Sequence, residues 1–223
     1  MAVVILDYDG TLHECLVIYA PAIRHAFEVA ARAGHTEYRE LSDDEIKQWI
    51  GFPVTQGIWE TLLPDASREF KDSCIKLVAE EMVRLILGGK ACLYPHTIEV
   101  LEELRDAGHT LIFLSNCRRS YKDAHIAFFG LEQYFAGFYC AEDYDNAPKY
   151  RIFESVLADF PQFSLGEYLV VGDRHKDMEL AVLQGLVSIG CTYGYGSEEE
   201  LRDATRLCHS VQDLPSHVRA LVG

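Results

Sequence analysis

Apolar residues recur along this chain in two rhythms. Val3–Leu6 is an unbroken apolar run that stops at Asp7. A run of that length, with no polar alternation, reads as a strand buried on both faces of a parallel sheet. Similar runs lie at residues 110–114, 138–140, 168–171 and 186–189. Helical patterns fill the gaps, at residues 97–107, 120–129, 149–159 and 176–184. Strands alternating with helices of that length predict βαβ units and a doubly wound, mainly parallel α/β sheet.

The rhythm breaks between Glu14 and Cys92. Residues 21–32, 43–50, 54–62 and 67–87 all read as helix, with no strand pattern among them. Ser42 ahead of Asp43-Asp44-Glu45 is a helix start, with acidic residues where the helix dipole favours them. Gly88-Gly89 stops the last helix. The expected organisation is a Rossmann-like core built from residues 1–13 and 93–223, with an all-helical cap inserted as residues 14–92. Its hinges would lie near residues 13–15 and 88–93.

Charge narrows the partners. With 35 acidic against 20 basic residues the formal net charge is −15, which repels nucleic acid and anionic membrane. A phosphate site in such a protein needs local cations and a metal. The seven cysteines are widely spaced with no Cys-x-x-Cys pair, which predicts reduced thiols in a reducing compartment rather than a disulfide frame or a zinc site. The apolar run before Asp7 is too short for a signal peptide, and no apolar run is long enough to span a bilayer. A soluble, cytoplasmic protein is expected.

Four short segments sit just past the carboxyl ends of expected strands, the edge where open α/β sheets bind ligands. The first is Asp7-Tyr8-Asp9-Gly10-Thr11. Two carboxylates two residues apart can face one space if the chain turns between them, and Gly10 permits that turn; an acidic turn capping its own backbone is the plainer alternative. The second is Ser115-Asn116, whose hydroxyl, amide and backbone N–H groups suit phosphate oxygens, or else cap a helix. The third is Lys149, a cation at the unfavourable end of a helix dipole, which an anion nearby would explain. The fourth is Gly172-Asp173 with Asp177 four residues on. Such carboxylates build hard-cation sites, although Asp173 capping a helix and Asp177 pairing with Arg174 or Lys176 would also account for them.

Taken together, Asp-x-Asp-Gly-Thr, Ser-Asn, Lys and Gly-Asp-x-x-x-Asp, in this order, resemble the haloacid dehalogenase-like hydrolases. Within them the chain is similar to the phosphoglycolate phosphatase-like branch, with its helical cap. The resemblance spans the whole chain; Tyr8 stands where that branch usually carries Phe or Leu. It implies that Asp7 is the nucleophile attacking phosphorus, and that Asp9 protonates the leaving oxygen and then activates water. It implies magnesium bound by the Asp7 carboxylate, the Asp9 backbone carbonyl and Asp173. Asp177 would hold a metal-bound water or orient Lys149, and Thr11 would orient the loop. Ser115, Asn116 and Lys149 would stabilise the transferring phosphoryl group. The expected partner is a small phosphorylated metabolite. Dehalogenases of this group lack an acid at the position of Asp9, because a halide leaves without a proton, so Asp9 favours phosphoester chemistry.

Two rival functions share these residues. Sugar-phosphate mutases of the same superfamily carry a histidine early in the first cap helix and basic residues in a cap loop. Here those places read Val17-Ile18-Tyr19-Ala20 and Gly51-Phe52-Pro53-Val54-Thr55-Gln56. Phospho-acceptor switches place their aspartate in mid-chain and gain nothing from a base beside it. The segment 51–55 could face the site as a specificity loop. Trp49, Trp59, Ile50 and Phe52 read as cap core, His175 as a partly exposed hydrogen-bond partner of its neighbours, Cys117 as a buried thiol, and Gly194 and Gly196 as a flexible loop.

Overall fold

Residues 1–51 and 57–222 are described by a computed structural model. The run Val3–Leu6 forms β1 in the middle of a six-stranded sheet. The other strands are β2 (Thr110–Ser115), β3 (Gly137–Cys140), β4 (Tyr168–Gly172), β5 (Val187–Cys191) and β6 (Arg206–Cys208). All neighbours are parallel, in the order β3-β2-β1-β4-β5-β6. The chain steps outward from β1 to β3, then crosses back to β4 and steps the other way. That reversal opens a crevice at the carboxyl ends of β1 and β4, where doubly wound sheets bind ligands.

β1 explains why a run without alternation is needed there. All four of its side chains are buried, but in two layers. Val3 and Ile5 pack with Ile152, Phe153 and Val156 of α7 (Lys149–Asp159) and Leu180 of α8 (His175–Gln184). Val4 and Leu6 join the other layer, with Val100 and Leu101 of α5 (Thr97–Asp106) and residues of α6 (Arg119–Phe129). Register sets the level of the site: Leu6 lies beside Phe113 on one side and Val171 on the other.

Between β1 and α5 the described residues form four helices, α1 (Leu16–Arg32), α2 (Asp43–Lys47), α3 (Ile58–Leu62) and α4 (Arg68–Leu87). The start at Ser42 is a capping box: the Ser42 hydroxyl accepts from Glu45 N–H at 3.2 Å while Glu45 accepts from Ser42 N–H at 3.1 Å. Ser67 caps α4 by accepting from Phe70 N–H, and Gly89, at φ +71°, ends it. The chain leaves and re-enters the sheet side by side. Glu14 N–H donates to the Cys92 carbonyl and Tyr94 N–H to the Leu12 carbonyl, each at 2.9 Å.

Several elements differ from expectation. α1 begins at Leu16, so Pro21 sits inside the helix rather than at its start. α2 stops at Lys47 and the chain turns through residues 48–51. Of the helix expected at 54–62, the described part is Ile58–Leu62, and the candidate specificity loop lies outside the described residues except for Gly51. β6 and the final helix α9 (Leu214–Val222) were not expected. A three-residue strand with exposed Arg206 and Leu207 beside buried Cys208 carries no readable period. None of the described helices is long and apolar enough to cross a membrane.

The layer under β1 carries a stability prediction. Phe153 is fully buried, its ring 5.4 Å from that of Tyr168. Phe153→Ala should cost about 3–5 kcal/mol in urea denaturation, from lost burial and the cavity left behind. Val182→Ala, on an exposed face of α8, should stay within about 0.5 kcal/mol.

Candidate active site

The four segments meet at the crevice between β1 and β4. Asp7 follows β1, Asp173 follows β4, Ser115 ends β2, Lys149 opens α7 and Asp177 lies in the first turn of α8. Lys149 Nζ lies 2.7 Å from Asp7 Oδ1 and 2.6 Å from Asp177 Oδ1. This explains the cation at a helix start: it faces two carboxylates and is itself buried. Asp177 also accepts from the Arg174 N–H through Oδ2 at 3.1 Å, which caps α8. Its ion-pair partner is therefore Lys149, while Arg174 meets it through the backbone N–H.

Asp173 is the odd member. Its Oδ2 accepts from the Tyr195 N–H at 2.7 Å. Its Oδ1 is fully buried and has no hydrogen-bond partner among the described residues. Oxygens of Asp7, Asp173 and Asp177 lie within 4.8 Å of one another, so three buried carboxylates share one ammonium. Burial, reinforced by Asp177, pushes the Asp7 carboxyl up to about 7 even though Lys149 pulls it down. Burial, with Asp7 and Asp177 adding to it, raises Asp173 well above the usual carboxylate range. For Lys149, burial works against the charge, but the Asp177 and Asp7 carboxylates outweigh it and hold the ammonium above the ordinary lysine value.

These groups fit a divalent cation. The donors are all oxygen, as hard cations require, and an orphaned buried carboxylate oxygen is a costly feature unless something binds it. The Asp9 carbonyl likewise accepts no hydrogen bond among the described residues. Packing holds this geometry tightly. Gly10 sits at φ +85°, and a Cβ there would lie 2.1 Å from Asp173 Oδ2. Gly194 and Gly196, read from sequence as a flexible loop, instead press on the site: a Cβ at Gly196 would stand 1.8 Å from the Asp173 carbonyl oxygen. Tyr193 between the strand and this loop donates its hydroxyl to the Thr11 carbonyl at 2.9 Å. The Thr11 side-chain oxygen itself is buried without a partner among the described residues.

Asp9 lies apart from Lys149 and is partly exposed. Its Oδ1 accepts from the Tyr121 hydroxyl at 2.6 Å and lies 2.9 Å from His13 Nδ1. Neither residue is among those the sequence points to: His13 falls where a hinge is expected, and Tyr121 lies in the first turn of α6. The signal for His13 is its place four residues after Asp9 in a loop. Asp9, His13 and Cys15 have the spacing of metal ligands, but the Tyr121 hydroxyl stands among them, 3.2 Å from His13 Nδ1 and 3.8 Å from Cys15 Sγ. Hydrogen bonds through that phenol account for the cluster. His13 is fully buried, stacked on Tyr8 and 4.4 Å from the His125 ring.

Asp7, Asp9, Ser115, Asn116, Lys149 and Asp177 line the floor of a cavity of about 750 Å³, counted out to its open mouth. The helical insertion forms the opposite wall and is hydrogen-bonded to the sheet-side loops. Arg174 Nη1 donates to the Ile50 carbonyl at 2.6 Å, and Asn116 Nδ2 to the Gly51 carbonyl at 3.3 Å. His175 pairs with Glu200, its Nδ1 at 3.1 Å, and the buried Cys117 thiol is pushed well up by burial.

Comparison with known proteins agrees with this geometry. The sequence profile of the haloacid dehalogenase-like hydrolases matches residues 4–191. A phosphoglycolate phosphatase of Vibrio vulnificus is 27% identical over 197 residues, covering 87% of this chain and 85% of the relative. A 5'-nucleotidase of Pseudomonas aeruginosa is 28% identical over 217 residues, covering 95% and 91%. A crystal structure from Haemophilus somnus, described as a predicted phosphoglycolate phosphatase, superposes with a TM-score of 0.82 over 97% of each chain at 18% identity. The chain belongs to the haloacid dehalogenase-like hydrolases, in their phosphoglycolate phosphatase-like branch, and is a phosphatase of that family.

Proposed function

We propose that this chain is a magnesium-dependent phosphatase that hydrolyses a small phosphomonoester through a phospho-aspartate on Asp7. The observation that carries the reading is the unlike setting of two carboxylates on one cavity floor. Asp7 is buried against Lys149, whereas Asp9 is partly exposed and its Oδ1 is held by the Tyr121 hydroxyl and by His13. Carboxylates held in different environments at one site take different chemical duties.

In the first half-reaction an Asp7 oxygen attacks phosphorus in line as the bond to the leaving oxygen breaks, and Asp9 delivers its proton to that oxygen. In the second, Asp9 takes a proton from water as the water oxygen attacks phosphorus. The bond from phosphorus to Asp7 breaks, releasing inorganic phosphate. Ser115, the Asn116 backbone and Lys149 bind the phosphoryl oxygens. Tyr121 and His13 hold the Asp9 carboxylate in place on the cavity floor. Asp177 keeps Lys149 on the phosphoryl side of Asp7. The Asp7 and Asp173 carboxylates and the Asp9 carbonyl would hold the magnesium ion, which when bound supplies the positive charge that keeps Asp7 ionised. Residues 14–92 act as a cap over the cavity, with the paired segments around Glu14 and Cys92 as its stem. Relatives named for phosphoglycolate and for 5'-nucleotides support a small phosphorylated metabolite as substrate.

Three outcomes test this. Asp7→Asn is nearly isosteric and should leave the fold intact while cutting magnesium-dependent phosphate release from p-nitrophenyl phosphate to below about 1% of the parent, the scale of losing a nucleophile. Retention of more than that sinks the assignment. Asp173→Asn keeps the oxygen that accepts from Tyr195 but removes one buried negative charge. The metal-free variant should therefore melt higher than the parent, by roughly 2–4 °C per kcal/mol relieved, yet lose the rise in Tm that magnesium gives the parent. A variant that still responds to magnesium as the parent does counts against Asp173 as a ligand. Tyr121→Phe should lower kcat by about 10- to 100-fold with KM little changed, because a misaimed acid–base group affects chemistry rather than binding. A change confined to KM would contradict the positioning role.

A further inference from the structure

The wall facing the catalytic floor differs sharply from it in chemistry. From the insertion, Tyr19 of α1, Trp49 and Ile50 after α2, and Val78 and Met82 of α4 line the cavity. None of the described lining residues contributed by the insertion is charged. The aromatic part of this wall is fixed in place: a Cβ at Gly57 would lie 2.1 Å from Trp49 Cζ3, so the indole rests directly on backbone. A preformed apolar and aromatic wall favours a flat apolar surface and strands a charge, which would lose its water without gaining a partner.

Cations do border the cavity, but from the sheet side, and most are engaged. Arg174 binds Glu200 and the Ile50 carbonyl, and Lys176 binds Glu179 at 3.3 Å. The Arg118 guanidinium has neither a hydrogen bond nor an ion pair among the described residues, and the residue lines the cavity two positions after Asn116. Charge bookkeeping assigns it there. Three carboxylates against Lys149 need a divalent cation to reach neutrality, and a phosphoryl dianion then brings two further negative charges. Arg118 offsets one of them, and the other described cations at the cavity, Arg174 and Lys176, are already engaged by Glu200 and Glu179.

We infer that the site selects phosphomonoesters whose leaving group is uncharged and presents an apolar ring, as a nucleoside does, over esters whose leaving group carries a carboxylate. This rests on the hydrolase reading above and names its substrate class. The wall chooses by surface, not by a hydrogen-bond pattern, so several ring-bearing alcohols should serve.

The test compares kcat/KM of the full-length, magnesium-loaded protein on uridine 5'-monophosphate, benzyl phosphate, 2-hydroxyethyl phosphate and phosphoglycolate, with p-nitrophenyl phosphate as the check on hydrolysis itself. The expected order places the two ring-bearing esters at least about tenfold above phosphoglycolate, with 2-hydroxyethyl phosphate, whose leaving group is uncharged but has no ring, in between. Met82→Arg, which sets a cation on the wall, should raise phosphoglycolate relative to uridine monophosphate. Trp49→Ala should depress the ring-bearing esters while sparing phosphoglycolate. Ratios within one variant cancel any general loss of folded protein. Phosphoglycolate equal to or better than the ring-bearing esters overturns the inference while leaving the hydrolase reading standing. No magnesium-dependent release from any ester, p-nitrophenyl phosphate included, overturns both.

Discussion

Three buried carboxylates share one buried ammonium at the carboxyl edge of β1 and β4, and the rest of the site is arranged around that shortage of positive charge. Burying unpaired charge is among the most expensive things a fold can do. Lys149 satisfies parts of Asp7 and Asp177, and backbone N–H groups of Arg174 and Tyr195 satisfy parts of Asp177 and Asp173. One oxygen of Asp173 is left over. Such a cluster is costly alone and favourable once a divalent cation enters, so folding strain and metal affinity are two sides of one quantity. An overall net charge of −15 sharpens the point, because attraction for a phosphate ester must then be wholly local.

Architecture supplies the means. A doubly wound sheet brings residues 7, 115, 149 and 173 to one edge although they are scattered over most of the chain. Glycines let segments approach where side chains would collide: Gly10, Gly194 and Gly196 all press against Asp173. The insertion is then fastened over the edge by Arg174 and Asn116, which reach its carbonyls at Ile50 and Gly51. Both come from the same loops that carry Asp173 and Ser115. Closing the wall and building the floor are thus the same structural act, and a substrate meets an apolar wall and a charged floor together.

Much of this was legible in the chain itself. Buried parallel strands carry their own signature, so β1 to β5 and the acidic, hydroxyl and lysine residues at their ends could be placed from pattern alone. Lys149 at an unfavourable helix end did announce the anions it meets. Other features depend on tertiary contact and leave no local mark. His13 and Tyr121 reach Asp9 from a loop and from α6, over a separation that no period encodes. Gly194 and Gly196 look like any loop glycine until Asp173 is set against them. β6 is too short and too polar to read, and the end of α2 is decided by the turn that carries Ile50 to Arg174.

The most direct measurement is a calorimetric titration of the metal-free protein with magnesium. The account predicts that one ion binds per chain, at a site lost when a positive charge is withheld by chelation and regained on its return. Absence of any saturable magnesium binding by folded, catalytically competent protein would contradict it, because the surplus buried charge at Asp173 would then have to be neutralised in some other way.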